Sequence, residues 1–315
     1  MAISSKPSPF SREPEGVLIV NKHKGVTSHD IVGDIRHIYR TRKVGHTGTL
    51  DPMAEGVLVI LLGRAAKAAE YLVADRKSYR ATLRLGITTD TEDITGAVLS
   101  TSDDLPSPEE VIRVCREKFT GEIMQIPPMY SALKVNGQKL CDLARSGKTV
   151  ERAARPITIH SLAVRPVECS ASDYVLDVVC SSGTYIRTLC ADIGASLGCG
   201  GTMASLCRTA VEGYTLNDAV QVADLRQMDE EDLFSRLLPT ESLFTDLPRL
   251  CPNAFYERLL RNGCAVACHK LHITAAVGDK LRLASMDGKF FALGEVVLAD
   301  DELSVKCQKL FSLEA

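Results

Sequence analysis

The longest apolar run in the chain, Val57 to Leu62, is bracketed by Gly56 and Gly63. It is too short for a typical buried helix and far below the ~20 residues of a membrane-spanning one, while its branched residues suit a buried strand. A core built around a sheet follows. Strand and helix signals then mix along the chain without the regular βαβ alternation of a parallel sheet, which favours an α+β fold. At 315 residues the chain exceeds what one hydrophobic core usually serves, so two domains are expected.

Val17 to Val20 reads as a strand ending in the turn Asn21-Lys22-His23-Lys24-Gly25. Ser28 is placed to cap a helix that carries Ile31, Ile35 and Ile38 on one face. A helix from Ala65 to Val73 follows the apolar strand, and Tyr79 to Leu85 alternates as a half-buried strand does. Asp90 to Gly96 reads as a turn, Pro106 to Phe119 as a helix, and Asn136-Gly137 as the corner of a basic hairpin. Val175 to Cys180 is a strand, Thr184 to Leu197 a helix, and Gly198 to Gly201 a loop. Beyond Pro248 the texture changes to short strands, Lys280 to Ala284 and Phe290 to Val297, as in a small β-rich domain.

The first 15 residues, rich in Ser, Pro and charge, read as a disordered tail without the apolar stretch of a signal peptide, so a cytoplasmic location is expected. The 11 cysteines are odd in number and mostly sit singly in apolar runs, which fits a reducing compartment better than disulfides. Cys264, Cys268, His269 and His272 have the residue types of a zinc site, but their spacing matches no standard finger or ribbon, and no metal is expected. The net charge of −3 hides a division by region. From Lys22 to Arg84 there are 12 Lys and Arg against 6 Asp and Glu, and a second basic stretch runs from Lys134 to Arg155. From Asp218 to Asp246, 8 acids face only Arg226 and Arg236. A polyanion would be steered to the first two regions, although solvated faces of opposite sign fit the charges as well.

No phosphate-binding glycine loop, dinucleotide fingerprint, nucleophile elbow or His-Glu-x-x-His motif is present, so any chemistry must come from carboxylates, arginines and tyrosines. The densest candidate is Gly45-His46-Thr47-Gly48-Thr49-Leu50-Asp51-Pro52-Met53-Ala54-Glu55-Gly56. Its three glycines allow close backbone approach, and Pro52 stiffens the chain just after a carboxylate. On composition alone, the simpler reading is a helix N-cap at Asp51 with Pro52 at the first helical position.

That segment resembles the signature loop of the TruB family of tRNA pseudouridine synthases. Further matches follow in order: Lys77-Ser78-Tyr79-Arg80 with Arg84-Leu85-Gly86, Thr89-Asp90-Thr91-x-Asp93-x-x-Gly96, Pro127-Pro128-Met129-Tyr130-Ser131-Ala132-Leu133-Lys134, and Ser182-Gly183-Thr184-Tyr185-Ile186-Arg187-Thr188-Leu189. The resemblance spans Gly16 to Gly213 and then thins. It departs at Asn21-Lys22-His23-Lys24-Gly25, where the family usually has Asp-Lys-Pro-x-Gly, which puts the rigidity of that turn in question.

The resemblance implies an isomerase that converts uridine 55 of the tRNA T loop to pseudouridine. It implies a mixed, largely antiparallel central sheet flanked by helices over residues 16–247, an RNA-gripping insertion at about 124–155, and a small β-rich PUA-like domain over 248–315 that touches the acceptor end. Asp51 would be the nucleophile, Tyr79 would cover the uracil and serve in proton transfer, and Arg187 would hold Asp51 ionised and oriented. Leu206 would line the base pocket, with Tyr185 beside it. His46 would intrude into the RNA once the base is flipped, and Lys22 and Asp93 match positions near the site and near bound RNA. The reaction moves one bond within one nucleotide, so no redox or phosphoryl cofactor is required. A monomer with no obligatory protein partner and no membrane association is expected. Two alternatives stand beside this reading: a tRNA-binding or folding chaperone without catalysis, and a glycosidase acting on free nucleosides, which leaves the basic stretches unexplained.

Overall fold

The computed structural model describes residues 10–72, 76–131, 133–135 and 137–312. A 10-stranded sheet forms its centre, with principal order Val220–Gln221, Gly16–Lys22, Glu55–Leu62, Gly201–Val211, Lys77–Leu85, Asp173–Cys180, Arg155–Pro166, Gly121–Gln125. Two neighbouring pairs are parallel, Gly16–Lys22 with Val220–Gln221 and Glu55–Leu62 with Gly201–Val211; the other pairs are antiparallel. This is the mixed, largely antiparallel sheet that the sequence implied.

The apolar run is continuous because both faces of its strand are covered. Leu58, Ile60 and Leu62 pack with Ile31, Val32 and Ile35 of the helix Ser28–Ile38, whereas Val57, Val59 and Leu61 pack with Val17, Ile19, Ala65 and Val211. The third large core lies where the helices Pro108–Lys118 and Ile186–Ser196 cover Ala81, Leu83, Leu176 and Val178. Gly56 sits at φ 109°, where an added Cβ would lie 2.3 Å from the Arg208 carbonyl oxygen. A glycine is needed there for the parallel strand to approach.

Several local expectations are corrected. Thr27, not Ser28, caps the first helix: its hydroxyl accepts from Asp30 N, and Asp30 bonds back to Thr27 in a capping box. The helix expected from Ala65 to Val73 is a 3₁₀ helix over Gly63–Glu70, and Val73 lies outside the described residues. Gly201–Val211 and Arg155–Pro166 are long strands that the sequence pattern did not reveal. Residues 1–9 of the expected tail, and Asn136 of the expected hairpin corner, lie outside the described residues. Residues 10–15 are held rather than loose: Phe10 meets Phe234 edge-on at 5.5 Å, and Ser11 N donates to Glu230 at 2.8 Å.

A separate five-stranded sheet follows Pro248, in the order Arg249–Leu250, Lys280–Ala284, Phe290–Ala299, Glu302–Leu310, Val266–Ala267. It joins the rest of the molecule through Phe244, Phe290 and Phe311, whose rings stand 5.5 to 6.1 Å apart, packed with Ala68 and Leu293. Beside that sheet His269 pairs with Glu302, Cys264 is exposed and Cys268 buried. Among the described residues no three His, Cys, Asp or Glu side chains converge into a metal-holding group. No helix among them is long and apolar enough to cross a membrane.

Candidate active site

Asp51 does not cap a helix. Asp51 to Ala54 is a turn closed by Ala54 N donating to Asp51 O at 3.0 Å, with Pro52 at its second position, and the strand Glu55–Leu62 begins directly after it. The backbone on either side of the carboxylate is fastened. Buried Ser28, freed from capping, accepts from Leu50 N at 2.8 Å and donates to Leu50 O at 3.1 Å. Pro52 O accepts from Gly25 N at 2.8 Å and from Lys22 Nζ at 3.4 Å.

Lys22 is fully buried and also donates to His23 O at 3.0 Å and Val26 O at 2.8 Å. Its ammonium thus closes the turn from which the family's usual proline is missing. Burial lowers its pKa to about 8, and the Asp51 carboxylate opposes that shift.

Arg187 Nε donates to Asp51 Oδ2 at 2.8 Å, and Nη2 reaches Oδ1 at 3.3 Å. The Arg187 side chain is only 5% exposed while that of Asp51 is 34% exposed, so the pair offers a buried cation behind an accessible carboxylate. The remaining Arg187 donors go to Thr91 O at 3.0 Å and Tyr130 O at 2.8 Å, and buried Asp93 stands 4.0 Å away. Asp93 itself accepts from Thr95 N and from the Thr91 and Thr95 hydroxyls, so its carboxylate is spent inside the protein and shapes the loop 89–96. Tyr185 precedes Arg187 at the helix N-terminus, where the buried Gln125 amide bonds both its N (2.8 Å) and its O (3.0 Å).

Beneath the loop, Tyr79 on one strand stands opposite Arg208 on the next, and Ala81 opposite Leu206, which puts Tyr79, Leu206 and Arg208 on one face. Tyr79 and Leu206 are buried. Burial raises the Tyr79 pKa, and the adjacent Arg208 guanidinium pulls it back, so the phenol stays protonated at neutral pH. Arg208 is nearly inaccessible and donates to Val57 O at 2.7 Å and Gly48 O at 3.1 Å. His46 lies on the edge strand Val44–His46, half-buried, with its pKa lowered by burial and then by Arg208, which favours the neutral ring.

Lys22, Asp93, Tyr185 and Arg187 thus stand around the Asp51 turn, Tyr79 and Leu206 lie on the sheet face with Arg208, and His46 sits on the edge strand that leads into the loop. Gln125 and Arg208 also do the fastening and were not singled out, and Ser28, expected only as a helix cap, does it too. Part of the expected basic field is neutralised at source: Arg80 pairs with Asp177, and Arg84 is bidentate to Asp173 at 2.7 Å. In the insertion, Lys134–Val135 pairs with Gln138–Lys139, and the side chains of Arg145, Lys148 and Arg155 are exposed.

Comparison with known proteins adds independent findings. The profile described as TruB family pseudouridylate synthase (N terminal domain) matches residues 36–186, and that of the tRNA pseudouridylate synthase B C-terminal domain matches residues 187–245. The chain is 40% identical to tRNA pseudouridine synthase B of Clostridium kluyveri over 298 residues, 94% of this chain and 99% of the relative. It is 45% identical to the protein of the same name from Alkaliphilus oremlandii over 249 residues, 79% of this chain and 81% of the relative. Among solved structures it is similar to a Cbf5-Nop10-Gar1 complex, with TM-score 0.74 and 25% identity, covering 95% of this chain and 85% of that one. An H/ACA RNP bound to a substrate RNA shares the fold at TM-score 0.71 and 22% identity, over 95% of this chain and 86% of that one.

Proposed function

Because the chain belongs to the TruB family of pseudouridylate synthases, and is therefore an isomerase that acts on tRNA, we propose that its target is uridine 55 of the T loop and that Asp51 is the nucleophile. The observation that carries this reading is the Asp51–Arg187 pair: an accessible carboxylate held at 2.8 and 3.3 Å by a buried guanidinium whose other donors are engaged. Charge-assisted bonds of this kind keep a carboxylate ionised and aimed.

The reaction breaks the bond from N1 to the ribose C1′ and forms one from C5 to C1′; the C5 proton leaves and N1 gains one. No electrons are gained or lost overall. Asp51 adds covalently, at C1′ or at C6 of the ring, and departs once the base has turned. Tyr79 covers the flipped uracil, and its phenol is the group beside the base suited to passing a proton. Leu206 and Tyr185 close the base pocket, and the neutral His46 ring fills the gap left in the RNA stack. Arg145, Lys148 and Arg155 of the insertion grip phosphates, which positions the RNA without reading its sequence. Residues 16–247 serve as the catalytic domain, and the PUA-like domain over 248–315, with its five-stranded sheet, meets the acceptor end. The protein works as a cytoplasmic monomer.

Asp51→Asn separates catalysis from binding. Mapping of pseudouridine in tRNA should find none with this variant, while tRNA affinity stays close to that of the parent. Persistent modification would remove Asp51 from its role; modification of a different uridine by the parent protein would overturn the choice of position 55. A chaperone without catalysis predicts no pseudouridine from the parent at all.

A further inference from the structure

The strand Gly201–Val211 returns through Glu212 and Gly213 into Tyr214–Thr215, with Val211 paired to Tyr214. Both corner residues are left-handed, Glu212 at φ 54° and Gly213 at φ 82°. This is a two-residue type I′ corner, whose first position favours asparagine, aspartate or glycine. A glutamate there bears the clash of its Cβ with the backbone. Its side chain turns inward, not outward: both carboxylate oxygens are buried, and the Thr47 hydroxyl is the neutral polar group set against them.

A carboxylate placed so is costly unless nearby cations compensate it. Burial pushes the Glu212 pKa up, and Lys77, Arg208 and the Thr47 hydroxyl, in that order, act against that push. The same two cations meet under the candidate loop, because a Cβ added to Gly48 would lie 3.5 Å from both Arg208 Nη1 and Lys77 Nζ. The loop rests on this cluster, since Gly48 O accepts from Arg208, and Thr47 Oγ1 and His46 Nδ1 are buried beside it. With the carboxylate gone, two like charges would repel each other directly beneath Gly48.

We infer that Glu212 is a positioning residue, whose carboxylate balances Lys77 and Arg208 and so seats the loop that carries His46 and leads into Asp51. The inference deepens the proposed function and rests on it wherever the effect is read as turnover.

The decisive variant is Glu212→Gly, which relieves the left-handed corner while removing the charge. If Glu212 only shaped the corner, this protein would be at least as heat-stable as the parent and fully active. A positioning role predicts a loss of about tenfold or more in kcat, a smaller change in KM for tRNA, and faster amide hydrogen exchange over residues 46–50 than in the parent, with any gain from relieving the corner offset by the repulsion of Lys77 and Arg208. Exchange over the strand 201–211 should not change. Glu212→Gln keeps the side chain's length and should reproduce both effects. Parent-like exchange over residues 46–50 in both variants, or parent-like kcat in both, overturns the inference. A parent protein that makes no pseudouridine would sink the proposed function instead, and the exchange comparison would then decide the role of Glu212 alone.

Discussion

At the scale of single residues, the site is held by groups whose importance is invisible until the chain is folded. Ser28 read as a helix cap because serine commonly is one; Thr27 takes that role and leaves the Ser28 hydroxyl to bind Leu50 on both its N and its O. Ser28→Ala should leave those two backbone groups unsatisfied, costing about 1–3 kcal/mol in urea unfolding and lowering kcat more than tRNA affinity as the Asp51 turn loosens. An unchanged kcat would show that the turn is rigid without the serine. Asp51, Tyr79 and Arg187 were legible because their neighbours form family motifs in order. Arg208 and Gln125 were not, because an arginine in a strand or a glutamine before Ile126-Pro127 carries no pattern of its own. Their partners, Gly48 and Val57 for one and Tyr185 for the other, are at least 60 positions away in the chain.

At the scale of elements, the strands read correctly include those with a clear apolar pattern, Val17 to Val20, Val57 to Leu62, Tyr79 to Leu85 and Val175 to Cys180, and the C-terminal Lys280 to Ala284 and Phe290 to Val297. Gly201–Val211 escaped because its sequence, GTMASLCRTAV, opens on glycine and threonine and places an arginine where a central strand would show an apolar residue. Tertiary bonds from Arg208 override that local signal. Arg155–Pro166 escaped through its two prolines and its many exposed positions. The helix Ile186–Ser196 carries its own testable feature. Asp192, partly buried and near Glu92, has its pKa raised to about 6 by burial first and by that neighbour second. An unfolded aspartate ionises near 4, so between about 4 and 6 the folded state holds the extra proton and stability falls as pH rises. Asp192→Asn should therefore raise the melting temperature at pH 8, by the equivalent of about 1–2 kcal/mol after solvent screening, and leave it nearly unchanged at pH 4. Equal shifts at both pH values would show that the charge is not responsible.

At the scale of the whole molecule, charge is divided where the net value of −3 conceals it. Arg80 and Arg84 are committed to Asp177 and Asp173, so steering of RNA falls more to the exposed cations of the insertion. Lys148→Ala should weaken tRNA binding and reduce the slope of log affinity against log salt by about one, with kcat at saturating tRNA unaltered. A slope equal to the parent's would place the phosphate contacts elsewhere. The topology has a further consequence. Gly201–Val211 lies between Glu55–Leu62 and Lys77–Leu85, two strands synthesised more than a hundred residues earlier. While the chain is being made, those strands have no neighbour to join them, and Arg208 is not yet there to hold Gly48. The nucleophile loop is thus translated early but finished late: a nascent chain halted before Gly201 would own Asp51 and Arg187 and still lack the floor on which they work.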